Sequence, residues 1–229
     1  VAGSKVALFI TALVAALLAM TGCSSSSNEK LPDAATTLRE AAAAARNLHS
    51  VHITLTVNDD PPGMALRGVD GDVATGGNAR GTLRFNLSGA LIEGEFVVVG
   101  KTAYFKGPTG GFQTLSAERT ASIYDSSALL DPQRGIANVL AHTTAAKTDA
   151  VDNVGDVRAY KVSGKVTKAV IAPIVPGVSN DVDVTYWLRA DGERDLLQLW
   201  LQLPNSSANP TVQATLSNFN KPFTVTPPS

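Results

Sequence analysis

Ser50-Val51-His52-Ile53-Thr54-Leu55-Thr56-Val57 decides the fold. Successive side chains of a strand point to opposite faces, so Val51, Ile53, Leu55 and Val57 share one side and His52, Thr54 and Thr56 the other. Asn58-Asp59-Asp60-Pro61-Pro62-Gly63 then ends the strand in a turn. The same period returns in 81–89, where Leu83, Phe85 and Leu87 oppose Arg84, Asn86 and Ser88. In the next segment Ile92, Gly94, Phe96 and Val98 oppose Glu93 and Glu95, and 101–106 pairs back across Gly100. Strands with one apolar and one wet face belong to an antiparallel sheet.

Outward from these strands the period changes to that of a helix. Asp33 is placed to cap a helix running to about Leu48, with Leu31, Ala34, Leu38, Ala41, Ala45 and Leu48 at near-helical spacing. Further on, a short helix is expected at 116–123 and a second from Asp125 to Leu130. Asp131-Pro132 is expected to open a third helix carrying the stripe Ile136, Val139 and Leu140. Strands resume at 156–164, a helical piece follows at 167–172, and 181–189, 195–203, 211–219 and 223–226 complete the sheet. Helix, strands, helices and strands in that order predict an α+β fold built on a large antiparallel meander. Seven or more strands in one twisted sheet curl, which leaves a concave face for the helices to cover.

The N-terminal segment has its own logic. Val6–Met20 is apolar except for Thr11 and is followed by Thr21-Gly22-Cys23, the only cysteine of 229 residues. Fifteen residues make a helix of about 22 Å, short of the ~30 Å hydrocarbon core of a bilayer. The run therefore suits a signal-peptide core with Lys5 as a thin basic flank, and the chain's opening on Val1 suggests a GTG start or one further upstream. Cys23 is the expected lipid attachment point, cut and acylated on the extracytoplasmic side of the cell membrane. Two or three acyl chains hold a protein there stably, at about 0.8 kcal/mol per buried methylene. An uncleaved anchor and a plain secretory signal with a free thiol are the alternatives. Residues 1–22 are thus expected to be the signal peptide, 23–30 the acylated cysteine and a Ser-rich flexible tether, and 31–229 a single domain.

Reactive constellations are sparse. His49, His52 and His142 form neither an H-E-x-x-H nor a cysteine–histidine metal pattern. Neither a G-x-S-x-G elbow nor a Walker-type loop occurs. The Glu93/Glu95 pair lies on an outward face, where carboxylates are ordinarily just solvated. With 19 basic and 20 acidic residues the chain lacks the charge excess of a nucleic-acid binder. A non-enzymatic binding protein without cofactor or metal is expected, and the apolar sheet face is its candidate site. Periodicity alone favours a filled core over a cavity. A cavity would serve a lipid: a 16-carbon chain left in water costs roughly 12 kcal/mol.

Several strings, taken in order and spacing, carry a resemblance. They are 48–58 (LHSVHITLTVN), 95–98 (EFVV), 121–125 (ASIYD) with 129–132 (LLDP), 135–141 (GIANVLA), 161–165 (KVSGK) and 216–219 (LSNF). Together they resemble the mycobacterial LppX/LprA/LprF/LprG lipoproteins, LprG and LprA above all, over nearly the whole chain. The resemblance implies a half-barrel whose concave side and covering helices enclose a hydrophobic cavity. It also implies binding of acylated glycolipids or other di- and triacyl lipids, their transport across the envelope, and a major-facilitator-type export protein as partner. Under that implication the cavity wall is Ile53, Leu55 and Val57; Leu83, Phe85 and Leu87; Phe96 and Val98; and Ile136, Val139 and Leu140. The resemblance to LprF leaves a second role open, an envelope sensor reporting lipid or ionic state to a membrane signalling partner.

Overall fold

The computed structural model describes residues 30–116, 125–204, 206–209 and 211–229. The expected signal segment, Cys23 and most of the helix expected at 116–123 lie outside the described residues.

Among the described residues, eleven strands form one antiparallel sheet. They are β1 (Ser50–Val57), β2 (Leu66–Ala74), β3 (Ala79–Leu87), β4 (Ala90–Val99), β5 (Thr102–Lys106), β6 (Gln113–Leu115), β7 (Thr144–Val154), β8 (Val157–Val166), β9 (Val182–Arg189), β10 (Leu196–Gln202) and β11 (Val212–Ser217). The order β6-β5-β4-β3-β2-β1-β11-β10-β9-β8-β7 joins two meanders through the pairing of the first strand with the last, Ile53 opposite Leu216 and Leu55 opposite Ala214. The sheet does not close, and it curves as a half-barrel.

Four described helices accompany it: α1 (Ala34–Arg46), α2 (Ser126–Leu129), α3 (Ile136–Ala141) and α4 (Lys168–Ile171). α1 begins where Asp33 accepts the Thr36 N–H at 2.8 Å, and it buries Ala34, Leu38, Ala41, Ala42 and Ala45. Those short side chains let it lie close to α3 and β7. Two further links fix it: Thr148 Oγ1 on β7 donates to Pro32 O at 2.9 Å, and Arg194 pairs with Glu40 while lying over the Tyr160 ring. Beneath these helices the inward residues of β8–β11 fill a core in which Val162, Tyr186, Leu188 and Leu201 are wholly buried. Tyr186 keeps its hydroxyl satisfied 2.7 Å from Thr143 Oγ1, and burial pushes its phenol above the usual range. On the opposite side Trp187, Leu197 and Ala159 are sealed against Trp200 and Phe219.

The structure corrects three expectations. The segment 223–226 is not a strand: the chain turns at Asn218 and Asn220, both at positive φ, and runs over the outer side of the sheet. There Arg80 lies 5.4 Å from the Phe223 ring and donates to Thr224 O. Asp131-Pro132 opens a turn and not a helix, because the Asp131 carboxylate takes the N–H groups of Gln133 and Arg134, and α3 starts four residues later at Ile136. A Cβ on Gly135, its N-cap, would stand 2.3 Å from Leu129 O, so only glycine fits. β2, β6 and β7 are strands that alternation does not show. β2 spends Gly68, Gly71, Asp70 and Asp72 inside a strand, and β7 is a polar edge strand with two register shifts.

Carboxylates at chain reversals carry an acid sensitivity. Hydrogen bonds lower the pKa of Asp33 (first from the Thr36 N–H), Asp125 (first from the Ser127 hydroxyl), Asp131 (first from the Gln133 N–H) and Asp59 (first from the Ser207 hydroxyl) below 3.8. A depressed folded pKa gives stability that is complete above the unfolded value and lost as pH falls through the folded one. Tm is therefore expected to hold from neutrality down to about pH 4 and to drop below it; a melting temperature unchanged down to about pH 2 would contradict this.

Candidate functional site

Under the β1–β6 half of the sheet lies an apolar cavity of ≈ 70 Å³. Its floor is made by inward residues at matched register: Ile53 and Leu55 on β1, Leu66, Val69 and Val73 on β2, Ala79 and Leu83 on β3, Phe96 and Val98 on β4, and Ala103 and Phe105 on β5. Leu115 closes one side, and α2 covers one end through Ser126 and Leu129. α2 is held there by Ser126 Oγ donating to Gly77 O at 2.7 Å, with Asp125 capping through the Ser127 N–H at 3.0 Å. Among the described residues, no charged side chain lines this space. Phe85 stands just past the lining, its ring edge-on to Phe105 at 5.7 Å between centroids.

Of the residues expected to wall a cavity, the structure brings five together here: Ile53, Leu55, Leu83, Phe96 and Val98. Phe85 sits at the margin. Val57, Ile136, Val139 and Leu140 instead belong to the filled core, because α3 covers the other half of the sheet together with α1. Leu87 lines nothing; it is 59% exposed at the end of β3, where the strand has outrun the neighbours that could cover it. Val69 and Val73 were detectable only as two valines flanking Gly71 on alternate positions of a glycine- and aspartate-rich segment. Phe105 was not among the expected wall residues, though extending the alternation into 101–106 would have found it.

The other side of this half-sheet is polar. His52 Nδ1 is 2.9 Å from Asp72 Oδ1, His52 Nε2 is 3.6 Å from Asp70 Oδ1, and Arg80 Nε is 3.4 Å from Asp72 Oδ2. Lys106 pairs with Glu95 at 2.9 Å. These groups satisfy one another in pairs, and no cluster of three or more metal-ligating side chains occurs among the described residues.

The chain matches the LppX_LprAFG lipoprotein family over residues 33–225. It is 33% identical over 226 residues to the lipoarabinomannan carrier protein LprG of Mycobacterium leprae, covering 96% of this chain and 93% of that protein. Among solved structures it is similar to LprF of Mycobacterium bovis, with a TM-score of 0.75 and 28% identity, covering 87% of this chain and 98% of the other. LppX of Mycobacterium tuberculosis shares the fold at a TM-score of 0.62 and 19% identity, over 84% of this chain and 97% of that one. A family match across most of the chain, a relative of this identity at nearly full length and the same half-barrel make the protein a member of the LppX_LprAFG lipoprotein family.

Proposed function

We propose that the protein is a membrane-anchored carrier that holds the acyl chains of a lipid or glycolipid in the cavity under β1–β5. The observation that carries this reading is a lining whose described residues are uncharged, placed between a curved sheet and a short helix, in a chain similar to a protein named as a lipoarabinomannan carrier. Such a lining favours methylenes by about 0.8 kcal/mol each and offers nothing for acid–base or nucleophilic chemistry, so the role is binding and not catalysis.

At ≈ 70 Å³ the cavity has room for a few water molecules and not for a fatty-acyl chain. Loading therefore requires the wall to part. The wall's outer edge is β6, which has three residues and, among the described residues, pairs only with β5. Outward movement of β5–β6 away from α2 would lengthen the cavity without disturbing the filled core beneath α1 and α3. Residues 1–22 serve as signal peptide, Cys23 carries the lipid anchor outside the cytoplasm, residues 24–30 form the tether, and the carrier delivers its cargo to a membrane export protein.

Native mass spectrometry of the protein purified from a mycobacterial host, with metabolic palmitate labelling, tests the reading. One or more acylated lipids released at higher collision energy, and label lost in Cys23→Ala, are the expected results. A chain that is always empty overturns the carrier role, and label retained in Cys23→Ala overturns the anchor.

A further inference from the structure

The β3–β4 hairpin ends in Phe85-Asn86-Leu87-Ser88-Gly89-Ala90-Leu91-Ile92. Leu87 and Leu91, 59% and 62% exposed, are the large hydrophobic side chains that the described structure leaves in solvent, and both are on this one tip. Other chain reversals of the sheet are built differently. Asn58-Asp59-Asp60 follows β1, Asp156 lies between β7 and β8, and Asp191-Gly192-Glu193-Arg194 joins β9 to β10.

We propose that this tip is a wedge that enters the interfacial region of a lipid bilayer beside the cavity. The cross-strand pairs give its depth. From the turn inward come Leu87–Ala90, Asn86–Leu91 and Phe85–Ile92, all uncharged, and the next pair is Arg84–Glu93. Three pairs at about 3.4 Å each make an uncharged cap of about 10 Å, the depth to which interfacial apolar elements bury. The charged pair behind it stops insertion at the headgroups.

Both faces of the cap carry apolar side chains, and the polar one on the outer face, Asn86, is turned to the Gly89 N–H. Leu87, Ala90 and Ile92 lie on the cavity side of the sheet, and Leu91 lies on the other, in line with Glu93. The turn is compatible with a poorly hydrated setting: Ser88 and Gly89 both have positive φ, which makes a tight two-residue reversal, and the Asn86 side chain accepts the Gly89 N–H at 3.0 Å. The tip is also continuous with the cavity. Leu83 is in the wall, Phe85 packs on the wall residue Phe105, and Leu87 is the next inward position along the same strand. An acyl chain leaving the bilayer beside the tip would meet an apolar track all the way to the cavity. The purpose of the wedge rests on the carrier reading, but its insertion does not.

The test places a fluorescent amino acid at Ala90 of the full chain and, separately, at Asp156 in the β7–β8 turn. Each protein is added to vesicles of phosphatidylcholine and phosphatidylglycerol with and without brominated acyl chains. Quenching is expected at position 90 and not at 156, and Leu87→Asp/Leu91→Asp should lower the inserted fraction at least about tenfold with an unchanged melting temperature. No quenching at 90, equal quenching at both sites, quenching that appears only with an added membrane protein, or full quenching in the double variant overturns the proposal. Because the readout does not require a filled cavity, a protein that is empty in mass spectrometry yet quenched at position 90 keeps the wedge and loses the carrier role.

Discussion

Leu83→Trp is expected to empty the cavity, while Arg84→Trp, one residue along the same strand, leaves lipid retention unchanged. Leu83 faces the cavity opposite Val69 on β2 and Gly94 on β4. An indole there takes the place of about three methylenes of a bound chain, roughly 2.4 kcal/mol at about 0.8 each. Retention should fall about fiftyfold. The variant's own stability should change little, because a cavity receives the added ring where a filled core would be overpacked at a cost of about 1–3 kcal/mol. Arg84 points to the other side, with its guanidinium over Gly68, and an indole can occupy that outer surface without touching the cavity. Lipid extracted per mole of purified protein, scored beside a melting curve, decides the matter. Equal lipid content in the two variants would show that the cavity under β3 is not where the cargo sits.

The prediction depends on facing, and facing is what the sequence discloses best. Leu83 against Arg84, Phe96 against Glu95 and Ile53 against His52 are all legible because a half-wet strand writes its orientation in a period of two. How far a cavity runs along a strand is not written there. Leu87 continues the inward row of Leu83 and Phe85, yet it lies beyond the reach of any covering element, and its exposure depends on where neighbouring chains stop. Ile136, Val139 and Leu140 have the right helical stripe, but which half of the sheet a short helix covers is settled by contacts between α1 and α3 distant in sequence. The pairing of β1 with β11 is similarly non-local. β2 escaped because its glycines and aspartates oppose strand formation locally, and its place is fixed only once β1 and β3 flank it.

Those glycines set the second large effect. Gly71→Val is expected to destabilise the protein by about 3–5 kcal/mol, a large part of the ~5–15 kcal/mol typical of a folded domain. Gly71 on β2 lies directly opposite Gly81 on β3, and Gly81 is opposite Phe96 on β4. A Cβ at Gly71 would stand 2.4 Å from Arg80 O and 3.1 Å from Gly81 Cα, and a Cβ at Gly81 would stand 2.2 Å from Asp70 O. These are backbone atoms of a ladder paired on both sides, so no side-chain rotation relieves the overlap. Adjacent strands carrying glycine at one rung can approach closely and bend there, which draws the outer strands β4–β6 round toward α2. A valine must push β2 and β3 apart, breaking the ladder between Asp70–Thr82 and Asp72–Arg80 and opening the cavity floor between Ile53 and Phe96. For a chain of this size about 1 kcal/mol corresponds to roughly 2–4 °C, so Tm should fall by about 6–20 °C. Asp70→Val on the outward face of the same strand is the matched control, expected to move Tm by less than about 3 °C. Equal melting temperatures for the two valine variants would mean that the glycine rung does not hold the sheet's bend.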